Sequence, residues 1–314
     1  MAPPHPSPGF VEILHTTEFS AWEASTSTVL GFHSSLLRDA AAGFRARYRW
    51  GRIGPLQLLH LCGRGALELE RDQVETGVLW LPLRDCGEER INGRCWRPQP
   101  GQALLIRPGD QLLGRTSAAQ EGLSLLLPAA LFADAPPPLC SPLLGQERPA
   151  TGALIRQVLL LRQAMEQRDP GGVIAAQEVL DRVAEVLALP DPAAEAEAAA
   201  ISRSRRWQLV VEASRWMQSR LAEPFSLEQL CRAVDCPTRT LQHAFASELG
   251  RSPLAQARML RLRALRQLLQ QAPPHDLSIA AAMGRCGLLA NGSTARAYTQ
   301  LYGERPRQTR ARTG

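Results

Sequence analysis

"SLEQLCRAVDCPTRTLQHAFASELGRSP" occupies residues 226–253 and sets Cys231, Cys236 and His243 within one short window. The spacing invites two explanations, a metal or thiol site on one hand and helix packing on the other. Helix signals decide between them. Ser226 and Gln229 stand at capping-box spacing, and Phe225 with Leu230 fits a hydrophobic staple around the same start. Leu227, Leu230, Cys231 and Val234 then recur at helical spacing, which puts Cys231 on a buried stripe. Asp235 falls at a tight turn that needs left-handed backbone, where Asp is tolerated better than most residues, and Cys236 plugs that turn. A second helix is predicted from about Thr238 to Leu249, stopped by Gly250. Leu241, Ala244, Phe245 and Leu249 form its inner stripe; Arg239, Gln242, His243 and Ala246 form its outer face. The cysteines point inward and the histidine outward, so no ligand set converges and no metal is expected. The spacing is that of a helix-turn-helix.

Working outward, the unit recurs. "SIAAAMGRCGLLANGSTARAYTQLYGERP" (278–306) repeats the order of cap, helix, short turn, helix and glycine stop. Ser226 matches Ser278 at an offset of 52, and Phe245/Tyr298, Leu249/Tyr302, Gly250/Gly303 and Pro253/Pro306 match at 53 after one inserted residue. Between the copies, Ser252-Pro253 is an N-cap followed by Pro at the first helical position. A connecting helix from Leu254 to about Gln270 would be roughly 25 Å long. That is of the order of the ~34 Å between major grooves on one face of DNA, once the flanking units add their width.

Charge points the same way. All 36 basic residues are Arg, a composition that suits phosphate but is ascribed to codon usage rather than to function. Residues 201–314 hold 18 Arg against 7 acids, net +11, while residues 1–200 hold 18 Arg against 23 acids, net −5. A basic module on a mildly acidic body is expected to meet a polyanion. An outward face of Arg, Gln and His on a groove-sized helix suits base edges, since Arg can donate two hydrogen bonds to guanine and Gln can pair with adenine.

Before this module the pattern is mostly β from Phe10 to about Leu131. "LQLLHLC" (56–62), "ALELE" (66–70), "GVLWLPL" (77–83), "ALLIRPGD" (103–110) and "GLSLLLP" (122–128) read as short strands. Asn92-Gly93 signals a type I′ hairpin. After the Pro-rich "DAPPPLCSPLLGQERPA" (134–150), two helices are expected. One carries Leu154, Ile155, Val158, Leu159 and Arg162, the other Val179, Leu180, Val183, Val186 and Leu187, with Asp169-Pro170-Gly171-Gly172 between them. Their stripes must meet either the sheet or a second subunit. No apolar run of membrane-spanning length appears, and "MAPPHPSPGF" reads as no secretion signal. The seven scattered Cys form no disulfide framework; a cytoplasmic protein with reduced thiols is expected.

With these residues in view, Trp207 to Arg310 resembles the AraC/XylS family of bacterial transcription regulators. The resemblance rests on the two repeated stretches and the connecting "RMLRLRALRQLL" (258–269). Together with the strand and turn pattern before it, an α+β multidomain chain is expected. The N-terminal part would be an antiparallel β sandwich or barrel, cupin-like, with helices after it, and the C-terminal part an all-α double helix-turn-helix. The expected divisions are a sensor domain at 10–131, a connector and helical hairpin at 132–190, a linker at 191–206, and a DNA-binding domain at 207–314 with units at 226–250 and 278–303. The resemblance implies base reading by Arg239, Gln242 and His243 in the first unit. In the second it implies Asn291, Gly292, Ala295 and Arg296, of which Gly292 and Ala295 have no side chain to bond a base. Backbone contacts are implied for Thr238, Arg258, Ser293 and Arg307, and Arg258, Arg261, Arg263 and Arg266 are expected to mix phosphate and intramolecular roles. Thr294 at the core position of Leu241, Leu288 where an aromatic is usual, and "SIAAAMGRC" without a capping box predict a weaker second unit. The first departs mildly, with Pro237 where a capping Ser is common and Asp235 where Gly is common.

The implied partners are double-stranded promoter DNA, RNA polymerase for an activator, a second copy as homodimer, and a small-molecule effector in the N-terminal half; no cofactor and no membrane is implied. A cupin-like enzyme with a helical tail is the alternative, but His15, His33 and His60 offer no His-x-His pair for a metal, so no catalytic role is expected. A thiol sensor acting through Cys62, Cys86, Cys95 or Cys140 lacks an electropositive or paired setting.

Overall fold

A computed structural model describes residues 9–30, 33–37, 43–71, 76–84, 87–133, 143–188, 201–271 and 277–311. The chain divides into two compact units, Met1–Glu197 and Ala198–Gly314. Cys86, Cys140, residues 191–200 of the expected linker and most of the Pro-rich stretch lie outside the described residues. No described helix is long and apolar enough to cross a membrane.

The first unit begins with β1 (Val11–Thr16), α1 (Phe19–Leu30), β2 (His33–Leu36), β3 (Arg45–Ile53), β4 (Leu56–Arg64) and β5 (Leu67–Arg71). It continues through β6 (Gly77–Pro82), β7 (Gly87–Ile91), β8 (Arg94–Trp96), β9 (Ala103–Ile106), β10 (Leu112–Thr116), β11 (Ala119–Leu127) and β12 (Leu143–Leu144). Two helices close it, α2 (Pro149–Gln167) and α3 (Gly172–Ala188). One sheet has the order β1-β3-β4-β11-β6-β9-β12 and the other β2-β5-β10-β7-β8. Neighbours pair antiparallel throughout, giving the expected cupin-like β sandwich.

Period-two alternation sorts the larger sheet into two apolar faces. Leu79, Leu81, Leu123, Leu125 and Leu127 face α2 and α3, where they meet Leu154, Ile155, Val158, Val179 and Val183. Val78, Leu104 and Ile106 face the second sheet and meet Ile91 and Leu112. The helical stripes therefore cover the sheet. One stripe is corrected: Leu159 is 37% exposed and Arg162 pairs with Glu166 at 3.1 Å, while Leu161 and Met165 are fully buried. The 3.6-residue period carries the stripe from Val158 to Leu161, a turn on, instead of to its neighbour. The Asn92-Gly93 turn has φ of 49° and 81° and joins β7 to β8, as a type I′ hairpin requires.

α1 stands in a stretch expected to be mostly β, where no helix was singled out. Its Ser/Thr/Val content argues weakly for helix. Burial holds it in place: Phe19 and Trp22 pack on Phe44, with the Phe19 and Phe44 rings edge-on at 5.5 Å.

The second unit is helical. α4 (Ile201–Gln218) starts inside the stretch read as linker, and α5 (Leu227–Ala233), α6 (Thr238–Leu249) and α7 (Pro253–Gln271) follow. The repeat is then α8 (Ile279–Arg285) and α9 (Gly292–Tyr302), with a short α10 (Pro306–Ala311) at the end. α4 packs on α5, α6 and α7, while α7 also meets α8 and α10. One long helix therefore serves both helix-turn-helix units as a common spine.

Candidate nucleic-acid interface

The first unit forms as its sequence dictates. The Ser226 hydroxyl accepts from the Gln229 amide at 3.1 Å, and the Gln229 side chain accepts from the Ser226 amide at 2.7 Å, so the capping box is complete. Phe225 packs edge-on against Trp216, ring centroids 5.1 Å apart. Asp235 adopts φ 44°, the left-handed backbone that the turn needs. α6 ends at Gly250 with φ 66°. Leu241, Ala244, Phe245 and Leu249 are buried, and Arg239, Gln242, His243 and Ala246 are exposed. Arg239, Gln242 and His243 have no hydrogen-bond or ionic partner among the described residues. Nothing in the described unit occupies their donors. Thr238 is exposed at the first position of α6, and its hydroxyl accepts a weak bond from Cys231 Sγ at 3.5 Å.

The second unit is built differently at each point where its sequence departs. Ser278 accepts from the Ala281 amide at 3.1 Å, but no side chain returns the bond. Gly287 takes the turn at φ 65°, and a Cβ there would lie 2.2 Å from the Leu221 carbonyl oxygen. Asn291 is the N-cap of α9, its side-chain oxygen accepting from the Thr294 amide at 2.9 Å. That oxygen is spent on the helix; the Asn291 amide NH2 is what remains for a base. Gly292, Ser293 and Arg296 are exposed and Ala295 half-buried. Arg296, Arg305 and Arg307 line one shallow groove with Gly292, Ala295 and Gln300. Arg305 was not singled out by the sequence, where it reads only as the residue before Pro306.

The connector arginines turn inward. Arg258 Nη2 donates to the carbonyl and hydroxyl oxygens of Ser293, both at 3.2 Å, so two expected backbone contacts bind one another. Arg261 donates to Leu221 and Glu223 carbonyls at 3.0 and 2.8 Å and lies over the Phe225 ring. Arg266 is 2% exposed, paired with Glu304 at 3.0 Å and stacked 4.5 Å over Tyr302. Thr309 donates to the same Glu304 oxygen at 2.7 Å. These bonds fix α9 and α10 against the spine, and only the exposed Arg258 among the three keeps access to a phosphate.

Among the described residues no three His, Cys, Asp or Glu side chains gather as a metal site. His60 is buried between Glu121, at 3.0 Å, and Arg49, and desolvation lowers its pKa. Burial and the neighbouring Glu88 push the Cys95 thiol up to about 11, the opposite of an activated thiolate.

Comparison with known proteins adds the lineage. The helix-turn-helix domain family matches residues 230–312, and the AraC-binding-like domain family matches 22–189, more than half of the 314 residues. A probable thc operon regulatory protein of Rhodococcus erythropolis is 29% identical over 91 residues, which is 29% of this chain and 27% of that protein's length. The AraC-like transcriptional activator CuxR is 17% identical, over 81% of this chain and 93% of its own, with a TM-score of 0.47. A regulator with an AraC-type DNA-binding domain from Chromobacterium violaceum is 29% identical over 34% of this chain and 93% of its own, with a TM-score of 0.32.

Proposed function

From the premise that this chain belongs to the AraC family of transcriptional regulators, a DNA-binding protein with an N-terminal ligand-binding domain and not an enzyme, we propose how it divides the work on promoter DNA. α6 reads bases through Arg239, Gln242 and His243. The carrying observation is that this exposed face has no partner among the described residues, so its donors need no rearrangement to meet a groove. α9 reads less: Arg296, with the Asn291 amide, is its base-reading pair. Gly292 and Ala295 let the backbone of α9 approach the duplex while Arg305 and Arg307 hold phosphates. Thr238 and Ser293 sit in the first turns of the two recognition helices, where hydroxyls and amides suit phosphate oxygens.

The N-terminal unit takes the effector, and the cytoplasm is the compartment where promoter and free thiols coincide. Pairing of two copies and contact with RNA polymerase complete the proposal for an activator. Selection of bound duplexes from a random pool, followed by gel shifts, tests it. Arg239→Ala should cost about 1–3 kcal/mol on the selected site and relax preference at one base pair. Unchanged affinity and unchanged preference would remove α6 from the groove.

A further inference from the structure

Between the two sheets of the first unit lies a cavity of ≈ 60 Å³, walled by Trp22, Phe44, Val78, Trp80, Ile106 and Leu112. Glu89 of β7 is set into this apolar lining at 6% exposure. Its Oε2 is buried without a hydrogen-bond partner, and so is the Nε1 of Trp80. Glycines make room for both side chains. A Cβ at Gly114, directly opposite Glu89 in the β7–β10 register, would stand 2.3 Å from Oε2; one at Gly122 would stand 2.2 Å from Trp80 Cη2.

No cation of the described unit answers this carboxyl. Arg45, the other charged lining residue, is exposed. Glu88 and Arg90 alternate to the opposite face of β7, and Arg115 on β10 pairs with Glu68 at 3.4 Å. The Thr116 hydroxyl, also in the lining, accepts from the Leu67 amide. A lone buried carboxylate is costly until a positive partner arrives. Trp22, Phe44 and Trp80 line the space, and aromatic rings attract cations. Once ionised, the carboxyl would repel an incoming anion.

We propose that this cavity binds a small organic amine, its protonated nitrogen on Glu89 and a hydrogen-bond acceptor atom on the Trp80 indole N–H. The inference rests on the reading of the N-terminal unit as the effector-binding half and names the ligand's chemistry. Calorimetry on the full-length protein, without DNA, would compare ethanolamine, small enough for this cavity, with the neutral ethylene glycol and the anionic glycolate. The amine should bind at least about 10-fold more tightly than either, the margin of one charge-assisted hydrogen bond, and Glu89→Gln should erase that margin. Trp80→Phe should weaken the amine while keeping the preference. Burial, with Glu88 adding to it, holds the Glu89 carboxyl up to about 8, so amine affinity should rise between pH 6.5 and 8, a wild-type measurement that does not depend on any variant folding. Equal binding of the three compounds, no binding of the amine, or a Glu89→Gln variant that keeps the preference would each overturn the proposal. Gel shifts on the same preparations, free of amine, test DNA binding separately, so either reading can fail alone.

Discussion

Arg266 and Glu304 are both buried, at 2% and 5% exposure, and their ion pair joins the spine helix to the segment after α9. Removing one partner leaves the other charge stranded, which costs far more than the pair contributes. Glu304→Ala should therefore destabilise the helical unit by about 3–5 kcal/mol in denaturant titration. The double change Arg266→Met with Glu304→Leu should recover most of that loss, because an apolar pair avoids the desolvation of both charges. A double variant as unstable as the single one would mean that the pair itself supplies net stability. Glu89 makes the converse case. Burial pushes its carboxyl up to about 8, above the ordinary glutamate value of 4.5, so the native state holds a proton that the unfolded chain has released. Stability then falls as pH rises from the unfolded value through about 8, by up to ~1.4 kcal/mol per pH unit. The window from pH 7 to 8 isolates it, because His60, shifted downward from 6.5, titrates below that range. Wild type should lose stability across this window and Glu89→Gln should not; parallel profiles would show that the carboxyl is already ionised.

At the scale of elements, the two helix-turn-helix copies differ where local chemistry differs. Gly284 lies inside α8 with nothing within 4 Å of an added Cβ, and Gly287 takes the turn at φ 65° against the Leu221 carbonyl. Gly284→Ala should stabilise by about 0.5–1 kcal/mol, by helix propensity and a less disordered unfolded chain. Gly287→Ala should destabilise, since its backbone conformation and its contact both exclude a Cβ. Thermal unfolding of the pair checks both signs, and a stabilised Gly287→Ala would refute the turn assignment. The same contrast explains what the sequence made legible. Caps, turn residues and glycine stops act within a few residues, so α6 could be bounded at Thr238 and Leu249 and its inner and outer faces assigned correctly. The Asn92-Gly93 hairpin was equally local. α1 was missed because its aromatic anchor, Phe44, is distant in sequence; β3, inside the stretch expected to be mostly β, was not delimited because its outward arginines mask an alternation whose inward residues include Ala46 and Tyr48. Leu159 was misplaced because three leucines run together at 159–161, and the helical period counted on from Val158 falls on Leu161. In the candidate interface, the exposed face of α6 was readable, but the Asn291 cap and the Arg258–Ser293 bond were not. The first needs the true start of α9, and the second joins residues 35 apart in sequence.

Across the whole molecule, charge and architecture divide at the same place. Ala198–Ala200 carry no charge, so the +11 counted over 201–314 belongs to the unit Ala198–Gly314 and the −5 over 1–200 to Met1–Glu197. Phosphate contacts release condensed counterions, and log K falls with log[salt] at about −0.9 per phosphate neutralised. If the arginines that meet phosphate all lie in the second unit, removing the first cannot change that number. A fragment of residues 198–314 should then show the same salt slope as the full chain, within about one phosphate equivalent. Its affinity at low salt should be higher, because a net negative body no longer opposes the approach to a polyanion. The two quantities separate two roles: slope counts contacts, whereas the offset between the lines reports long-range repulsion and should vanish as salt shortens the Debye length. A fragment whose slope dropped by several units would place phosphate contacts in the β unit. An offset that persisted at high salt would show that the first unit acts on binding through pairing of copies or coupling between units, not through its charge.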